Sequence, residues 1–535
     1  MYKVMIRDNM SQRAKEILEE TGQIEVVVDF DKSTNDPEAL SEIIGEFDGL
    51  AVRSGTKVKG PALEKANNLK VIGRAGIGVD NIDVAGATQR GIVVMNAPGG
   101  NTVTTGEHAI SMMVALARRI PQATASMREG KWEKKKFMGV EIAGKTLGII
   151  GLGQIGRIVA PRALGLQMKV IGADPYVTKD AASALGVELV ELDELLSRAD
   201  FITLHVPRMD ETRNLINRET LSRMKPGVRI INCARGEVVN LDDLYEAIES
   251  GHVAGAALDV YPQEPPDASL AILKHPNVIL TPHLGASTGE AQTRVAEMIA
   301  RQMSDYLLNG VITNAVNFPS VPTEMMENLG PFLGLAEKMG ALLGRVVRKP
   351  NDINIIYSGY VGDYDTRVLT HAALKGFLDA YTDKPVNYVN APAVAKDKGI
   401  NVSETISQQT RDYTNLIRIK MPGLKEPLNE IWGTIFGRKY PRIVRLGAIY
   451  VDVIPEGDML VIESEDRVGV IGELGTILSA EGINIAQFHM GRREGQSICT
   501  VTLDSPPGES VLTKIETLPY ILSVRSVHLG SANGS

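Results

Sequence analysis

The feature that most constrains this fold is a glycine cluster that directly follows a short apolar run. Residues 146–150 read as a buried β-strand, and Gly151, Gly153 and Gly156 then form the pattern G-x-G-x-x-G. In a strand–turn–helix unit the first glycine permits a tight turn, the second lets the backbone approach a pyrophosphate, and the third lets the helix pack on the strand. The helix N-terminus then meets the phosphate charge. The pattern predicts a dinucleotide-binding unit.

Asp174 strengthens this prediction, because it ends the next strand-like run, residues 169–173. A carboxylate there can accept hydrogen bonds from the adenosine ribose hydroxyls, and it repels a 2′-phosphate. We therefore expect the cofactor to be NAD rather than NADP. The alternative is a tightly packed turn beside a solvated aspartate.

Short β-branched runs alternate with amphipathic stretches on both sides of this unit. Each later run is apolar throughout, as strands covered on both faces must be. This predicts an α/β fold with two Rossmann-like lobes, a flavodoxin-like substrate-binding lobe at residues 1–98 and an NAD-binding lobe at residues 99–282. The predicted strands lie at residues 26–28, 49–53, 70–74, 92–95, 146–150, 169–173, 201–205, 229–232, 256–260 and 278–281.

A long helical pattern at residues 288–308 would return the chain to the first lobe, so residues 283–316 are assigned to that lobe. A Pro-containing boundary follows. Residues 317–452 are too long and too apolar for a linker, and they predict an intervening α+β domain with helices at 326–347 and 370–380.

The tail, residues 458–530, predicts two helices among four strands. The order is strand, helix, strand, strand, helix, strand, which is the ferredoxin-like plan. The predicted elements lie at residues 459–463, 470–480, 483–490, 497–503, 510–516 and 522–529.

Length and composition exclude several classes of protein. The chain has 535 residues, too many for one hydrophobic core, and 44% of them are hydrophobic. With no low-complexity tract, the chain is neither disordered nor fibrous. A net charge of -8 disfavours a nucleic-acid or anionic-membrane binder.

The cysteines and the N-terminus indicate the compartment. Cys233 and Cys499 are far apart and lack metal-ligand spacing, so we expect neither a disulfide framework nor a metal site. The first residues carry no secretory signal, and no run is long and apolar enough to cross a bilayer. We expect a cytoplasmic protein.

Three charged or titratable residues fall at or just after the ends of later predicted strands. Arg235 follows the run at 229–232, Glu264 follows 256–260, and His283 follows 278–281. Open parallel sheets bind ligands at the carboxyl ends of their strands. The three residues therefore place a cation, an acid and a base on one rim, although each alone has a structural explanation as a salt bridge, a loop carboxylate or a packed imidazole.

At this point the sequence resembles the D-isomer-specific 2-hydroxyacid dehydrogenases. The resemblance is carried by the glycine cluster, by Asn-Cys-Ala-Arg-Gly at residues 232–236 and by Pro-His-Leu-Gly-Ala at residues 282–286. Further matching runs lie at residues 52–58, 73–81 and 132–139. The tail resembles an ACT domain, and the middle segment resembles the intervening domain of long-form members, so the resemblance spans essentially the whole chain.

The resemblance implies NAD-dependent oxidation of 3-phospho-D-glycerate to 3-phosphohydroxypyruvate, the first step of phosphorylated L-serine biosynthesis. It implies that His283 acts as the base, that Glu264 holds and stabilises the imidazole, and that Arg235 clamps the substrate carboxylate. The expected substrate is therefore a small phosphorylated 2-hydroxy acid.

The resemblance also implies two sets of binding residues. The cofactor contacts would be Gly151, Gly153, Gln154, Ile155, Gly156, Asp174, Val206, Cys233, Ala234, Asp259, Gly285 and Ala286. The substrate contacts would be Arg53, Ser54, Arg74, Gly76 and Asn101. For Arg53 and Arg74 the alternative is solvated loop charge.

Regulation and assembly are expected from the resemblance in the same way. Asp466 and Asn484 match the polar positions that bind L-serine across paired ACT domains, although helix capping and turn formation explain both residues equally well. Val468 stands where proline is usual, which makes the effector site less secure than the catalytic one. The family suggests a homotetramer.

Two other functions remain open from the sequence. A glyoxylate or hydroxypyruvate reductase would use the same Arg, Glu and His without a phosphate site. An NAD(H)-sensing corepressor-like binding protein would use the same lobes with secondary activity. The tail and the cationic run at 53–57 count against the reductase. Against the corepressor, no run is typical of a peptide-docking or nucleic-acid surface, and the ACT-like tail indicates a metabolic role.

Overall fold

The computed structural model describes residues 1–319, 323–347, 349–382, 385–410, 412–424 and 428–530 of the chain. It contains four β-sheets, two of which are parallel, one mixed and one antiparallel. The predicted fold class is confirmed. The domain boundaries given above stay predictions.

A five-stranded parallel sheet forms the first lobe. Its strands are β1 (Tyr2–Ile6), β2 (Ile24–Val28), β3 (Gly49–Val52), β4 (Val71–Arg74) and β5 (Val93–Asn96). They lie in the order β2-β1-β3-β4-β5, and β3 is buried along its whole length because apolar side chains cover both faces. The connecting helices are α1 (Gln12–Glu19), α2 (Pro37–Ser41), α3 (Pro61–Glu64) and α4 (Val84–Gln89).

Two helices, α5 (Thr102–Arg118) and α6 (Ile120–Arg128), then carry the chain to a seven-stranded parallel sheet. Its strands are β6 (Thr146–Ile150), β7 (Lys169–Ala173), β8 (Glu188–Leu189), β9 (Phe201–Leu204), β10 (Val228–Asn232), β11 (Val253–Leu258) and β12 (Val278–Leu280). Their order is β12-β11-β10-β9-β6-β7-β8, which reverses direction at β6. The helices of this lobe are α7 (Gly156–Gly165), α8 (Lys179–Ser183), α9 (Leu192–Arg198), α10 (Arg218–Ser222) and α11 (Leu241–Glu249).

The long helix α12 (Gly289–Asn309) returns the chain to the first lobe. Its buried residues Val295, Ile299 and Met303 share a core with Val71 and Val93 of the first sheet. The chain therefore crosses between the lobes twice, before α5 and again after β12. The two crossings touch, because the Thr105 hydroxyl donates to the carbonyl oxygens of Asn101 and Gly285, both at 3.0 Å.

A six-stranded mixed sheet follows, backed by α13 (Thr323–Val346), α14 (Arg367–Leu378) and α15 (Ala391–Asp397). Its strands are β13 (Asp352–Gly359), β14 (Asn401–Ser407), β15 (Asn415–Lys420), β16 (Glu430–Phe436), β17 (Tyr440–Leu446) and β18 (Ile449–Val453). They lie in the order β14-β13-β15-β16-β17-β18. The predicted helices are present, whereas the sequence located none of these strands.

The tail folds as β19 (Asp458–Glu465), α16 (Val470–Ala480), β20 (Ile485–Arg493), β21 (Gln496–Leu503), α17 (Glu509–Glu516) and β22 (Ile521–His528). This is the predicted βαββαβ order, with an antiparallel sheet in the order β20-β21-β19-β22. Met459, Val461 and Val527 of the tail lie in the core of the preceding mixed-sheet domain. No helix among the described residues has the length and apolarity that a bilayer span requires.

The mixed-sheet domain docks on the first lobe through residues 387–389. Val389 is buried in the core of the first lobe, and the Asn387 side-chain amide donates to the Gly91 carbonyl at 2.6 Å. The Asn387 side-chain oxygen also accepts from the backbone N–H groups of Val389 and Asn390, both at 3.0 Å. The docking segment is therefore held in shape by its own hydrogen bonds.

Gly91→Ala tests this contact. Gly91 has φ +72°, and a Cβ built there would overlap the Asn387 amide. Gly22→Ala is the matched control, since Gly22 has φ +68° and no atom of the described chain lies within 4 Å of its built Cβ. We expect Gly22→Ala to cost about 1–2 kcal/mol of backbone strain and Gly91→Ala to cost more.

Thermal denaturation of both variants, and of Gly91→Ala combined with Asn387→Ala, measures the difference. The second substitution should restore part of the lost stability because it removes the overlapping amide. Equal destabilisation at Gly22 and Gly91 would contradict the docking.

Candidate active site

The predicted catalytic residues meet where the carboxyl ends of the two parallel sheets face each other. Arg235 follows β10, Glu264 follows β11 and His283 follows β12, while Arg53 and Arg74 follow or end β3 and β4 of the other sheet. Arg53, Arg74, Glu264 and His283 line one cleft of about 490 Å³. Arg235 and His283 line an adjoining cleft of about 300 Å³.

His283 and Glu264 form a direct pair. The Nδ1 atom of His283 lies 2.7 Å from Oε2 of Glu264, and the other carboxylate oxygen accepts from the Tyr261 N–H at 3.1 Å. A carboxylate only accepts, so Nδ1 carries the hydrogen and Nε2 is left as the acceptor. The His283 side chain is 47% exposed, which leaves it accessible from the cleft.

Asp259 holds the loop that carries His283. The His283 N–H donates to the Asp259 carbonyl at 2.9 Å, and the Asp259 carboxylate accepts from the N–H groups of Leu284 and Gly285 at 2.7 and 2.9 Å. These contacts keep His283 in the left-handed region at φ +55°. The Asp259 side chain is among the residues that line the smaller cleft, and its expected contact with the cofactor would be made there.

The Asp259 carboxylate is fully buried but remains ionised. Burial alone would raise the pKa of Asp259, but hydrogen bonds from His108, Thr281 and the Leu284 N–H lower it below its usual value.

His108, Cys233 and Asp259 offer potential metal ligands within 4.8 Å of one another. The Asp259 oxygens already accept these hydrogen bonds, and burial raises the pKa of the Cys233 thiol, which favours a neutral thiol.

Arg235 lines the smaller cleft and is held there by contacts with its own loop. Its Nη1 donates to the Ala234 carbonyl at 2.7 Å, and the Asn232 side chain donates to the Arg235 carbonyl at 2.9 Å. A Cβ built on Gly78 would overlap Nη2 of Arg235, so only glycine allows the guanidinium to lie against this turn. The planar fork suits two-point recognition of a carboxylate.

Arg74 is a partly buried cation. Burial and the neighbouring charge of Arg235 lower the pKa of Arg74 to about 10, so it stays charged at neutral pH. Its Nε has no hydrogen-bond partner within the part of the chain that the structure describes. A Cβ on Gly76 would overlap its guanidinium, which explains the glycine there. Ser54, Lys57, Lys59 and Asn101 are among the other polar residues that line this cleft.

The glycine cluster forms a turn with one open position. At Gly151, φ is +94° and a built Cβ would lie 2.6 Å from the His205 carbonyl oxygen. A Cβ at Gly156 would overlap the Gly151 carbonyl, so both glycines are required by the protein itself. At Gly153, in contrast, no atom of the described chain lies within 4 Å of the built Cβ. The open position suits close approach of a phosphate group.

Most of the expected cofactor contacts lie together. Gln154, Ile155, Val206, Cys233, Ala234, Gly285 and Ala286 line the smaller cleft with Asp259. Asp174 lies at the end of β7, where its two carboxylate oxygens accept from the N–H groups of Leu152 and Tyr176, each at 2.8 Å. Asp174 therefore ties the glycine turn to the next strand.

Asp466 and Asn484 lie in the tail domain, on a different sheet. The Asp466 carboxylate is 3.4 Å from Nε of Arg492, and it does not cap α16, whose N-cap is Gly469. The Asn484 amide donates to Asp504 at 2.7 Å, in the turn before β20.

Asp80, Thr105 and His205 are among the cleft residues that were not singled out from the sequence. Asp80 lines both clefts, Thr105 bridges the two lobe crossings, and His205 ends up beside the glycine turn. Burial lowers the pKa of His205 to about 3, so it is neutral. Asp80 stands inside the matching run at 73–81, and that position was the available signal.

Family models match three parts of the chain. The D-isomer specific 2-hydroxyacid dehydrogenase NAD binding domain matches residues 110–285. The D-3-phosphoglycerate dehydrogenase intervening domain matches residues 328–447, and the ACT domain matches residues 459–520.

Whole-chain relatives agree with these matches. D-3-phosphoglycerate dehydrogenase of Methanocaldococcus jannaschii is 43% identical over 99% of this chain and 100% of its own length. The enzyme of the same name from Archaeoglobus fulgidus is 42% identical over 98% of this chain and 100% of its own. Among solved structures, D-lactate dehydrogenase from Aquifex aeolicus, complexed with NAD and lactic acid, is 28% identical with a TM-score of 0.52, covering 59% of this chain and 100% of that one.

Substitutions in the glycine turn should separate cofactor binding from folding. Gly153→Ala places a methyl group in the open position, so we expect NADH affinity to fall by about ten- to a hundredfold with an unchanged melting temperature. Gly156→Ala should lower the melting temperature because its Cβ overlaps backbone.

Fluorescence titration with NADH and thermal denaturation measure the two effects. Gly165→Ala, at the far end of α7 with no described atom within 4 Å of its built Cβ, is the control and should change neither. Wild-type NADH affinity in Gly153→Ala would contradict the placement of the pyrophosphate.

Proposed function

Because the chain belongs to the D-3-phosphoglycerate dehydrogenase family, we propose that it oxidises 3-phospho-D-glycerate to 3-phosphohydroxypyruvate with NAD. The observation that carries the proposal is the meeting of the His283–Glu264 pair with the partly buried cation Arg74 in one cleft. The pair supplies a proton acceptor for the hydroxyl of a 2-hydroxy acid, and the guanidinium supplies a cation for its phosphate. The reaction opens the phosphorylated route to L-serine.

His283 takes the proton of the substrate C2 hydroxyl. Its Nε2 is the free acceptor because Nδ1–H is held by Glu264 at 2.7 Å. When bound, NAD supplies the hydride acceptor for the C2 hydrogen. Glu264 keeps the imidazole in the correct tautomer and stabilises the imidazolium that forms.

Arg235 binds the substrate carboxylate and polarises the C2 oxygen. Arg235 and His283 line the same cleft, which lets the guanidinium reach the acid while His283 reaches the hydroxyl. The planar fork makes two parallel charge-assisted hydrogen bonds to a carboxylate.

Arg53 and Arg74 bind the phosphate. The positive charges of Arg53 and Arg235 both act to lower the pKa of Arg74, which means that the three guanidinium groups repel one another. A ligand with two anionic groups relieves this repulsion, and 3-phosphoglycerate carries a carboxylate and a phosphate. Ser54, Gly76 and Asn101 complete this part of the site.

The residues present fit NAD. Gly153 offers the open position beside the N-terminus of α7, and Asp174 stands at the end of β7, where a ribose would lie. The Asp174 carboxylate disfavours the additional 2′-phosphate of NADP.

The two alternatives explain less of the cleft. A reductase of unphosphorylated acids leaves Arg53 and Arg74 without an anionic partner. Binding alone, as in a corepressor-like protein, does not require a base such as His283 paired with the Glu264 carboxylate. We further propose a cytoplasmic location, which the two buried free cysteines suit.

Turnover assays test the reaction. We expect kcat/KM for 3-phosphoglycerate with NAD to exceed that for D-glycerate by about ten- to a hundredfold, because the phosphate gains charge-assisted hydrogen bonds. His283→Ala should lower kcat by about a hundred- to ten-thousandfold, the usual contribution of a general base. Equal kcat/KM for the two acids would contradict the assignment of a phosphate site. Near-wild-type kcat in His283→Ala would contradict the role of His283 as the base.

We also propose that the chain assembles as a homotetramer and that its tail binds L-serine. Ile120, Met127, Trp132 and Met138 expose apolar side chains on the segment expected to pair the catalytic lobes. In the tail, the Asp466 carboxylate would accept from the serine ammonium group and Asn484 would bind the serine carboxylate, with a second copy of the tail completing the site.

Calorimetric titration tests the effector site. We expect serine to bind and inhibit the intact chain, and Asn484→Ala to lose both effects. Asp504→Ala is the control, because it removes the same Asn484–Asp504 hydrogen bond but keeps the amide. No heat at millimolar serine would leave the tail as an assembly element.

A further inference from the structure

Asp80 of the first lobe lines both clefts and forms ion pairs with two arginines of the second lobe. It lies in the loop after β4 of the first lobe, and its Oδ2 is 3.4 Å from Nε of Arg235, which follows β10 of the second lobe. Its Oδ1 is 3.8 Å from Nη2 of Arg208, which follows β9. Both lobes therefore contribute to one ion-pair cluster.

Each of the three guanidinium nitrogens of Arg235 contacts a different group. Nη1 donates to the Ala234 carbonyl at 2.7 Å, Nε faces Asp80 at 3.4 Å, and Nη2 lies against Gly78. Nε is thus paired with Asp80, and the hydrogens of Nη1 and Nη2 that these contacts do not use are available to a ligand carboxylate. The orientation of this fork thus depends on a residue of the opposite lobe.

The charges in the clefts favour this placement. Asp80 and Glu264 are the two acidic residues among the described residues that line the larger cleft, and Glu264 is engaged by His283. Asp80 thus faces Arg74, Arg208 and Arg235, and its charge offsets part of their mutual repulsion.

Exposure determines when the interaction matters. The Asp80 side chain is 53% exposed, so in the open cleft its ion pairs are screened by water and contribute little stability. Once a ligand displaces water from the cleft, the same charges interact in a lower dielectric and more strongly.

We propose that Asp80 is a positioning residue that orients the Arg235 fork across the lobe boundary, so that the substrate clamp is complete only when the lobes are closed. This rests on the proposed function, in which Arg235 binds the substrate carboxylate. Asp80 acts through Arg235 and does not itself touch the substrate.

Kinetics of Asp80→Asn and Asp80→Glu test the proposal. Asp80→Asn should lower kcat/KM for the 2-hydroxy acid by about ten- to a hundredfold, because the ion pair that orients the Arg235 fork in the water-excluded cleft is lost, while KM for NAD and the melting temperature stay unchanged. Asp80→Glu should recover part of the loss. In an Arg235→Gln background, Asp80→Asn should cause no further loss, because its effect runs through that side chain.

Asp83→Ala is the control for damage to the same loop. Asp83 caps α4 through a 2.9 Å bond from the Gly86 N–H and does not line either cleft. Its loss should lower the melting temperature and leave kcat/KM unchanged. Additive effects of Asp80→Asn and Arg235→Gln would overturn the proposal. So would a lower KM at unchanged kcat in Asp80→Asn, which would mean that Asp80 competes with the substrate.

A measurement without turnover separates this proposal from the proposed function. Phenylglyoxal modifies accessible arginines, and Arg235 is 29% exposed. Peptide mapping should show faster modification of Arg235 in Asp80→Asn than in wild type, and an unchanged rate would overturn the proposal even in an active enzyme. If D-glycerate but not 3-phosphoglycerate is oxidised, the phosphate assignment fails, and the Asp80 kinetics are then measured on D-glycerate.

Discussion

The site depends on one constraint of parallel sheets, which is that all their strands end on the same edge. Strands buried on both faces leave no room for charged side chains along their length, so these side chains collect in the loops beyond the strands. Here two such edges face each other. Arg53 and Arg74 therefore meet Arg235, Glu264 and His283 although up to 230 positions of sequence separate them. The arrangement of the site residues therefore depends on the sheet topology as well as on which residues the chain contains.

In the two parallel lobes the sequence predicted most of the strands that are buried on both faces, whereas it located none of the strands of the mixed sheet. Thr146–Ile150 and Lys169–Ala173 were located to the residue because a short apolar run between polar flanks is typical of a buried strand. The two-residue strand Glu188–Leu189 and the exposed strand Asn401–Ser407 were missed because neither carries a buried face. The same limit applies to the site: Asp80 looks like any solvated acid until the fold brings a guanidinium from the other lobe beside it.

The parts of the C-terminal half of the chain are joined to one another, and to the first lobe, by buried contacts. The tail contributes Met459, Val461 and Val527 to the core of the mixed-sheet domain, so the two share one hydrophobic interior. That domain in turn places Val389 in the core of the first lobe and hydrogen-bonds the turn at Gly91, which leads directly into β5. A change of packing in the tail is thus connected by buried contacts to a strand of the substrate-binding lobe.

The double crossing between the catalytic lobes has a mechanical consequence. A single linker would leave the lobes free to rotate about three axes, whereas two adjacent covalent tethers, joined by the Thr105 hydroxyl to Asn101 and Gly285, leave rotation about the line that contains both. We therefore expect the lobes to open and close about one axis. Such a restriction would bring the residues of the two lobes back to the same relative positions on each closure, without a rigid cleft.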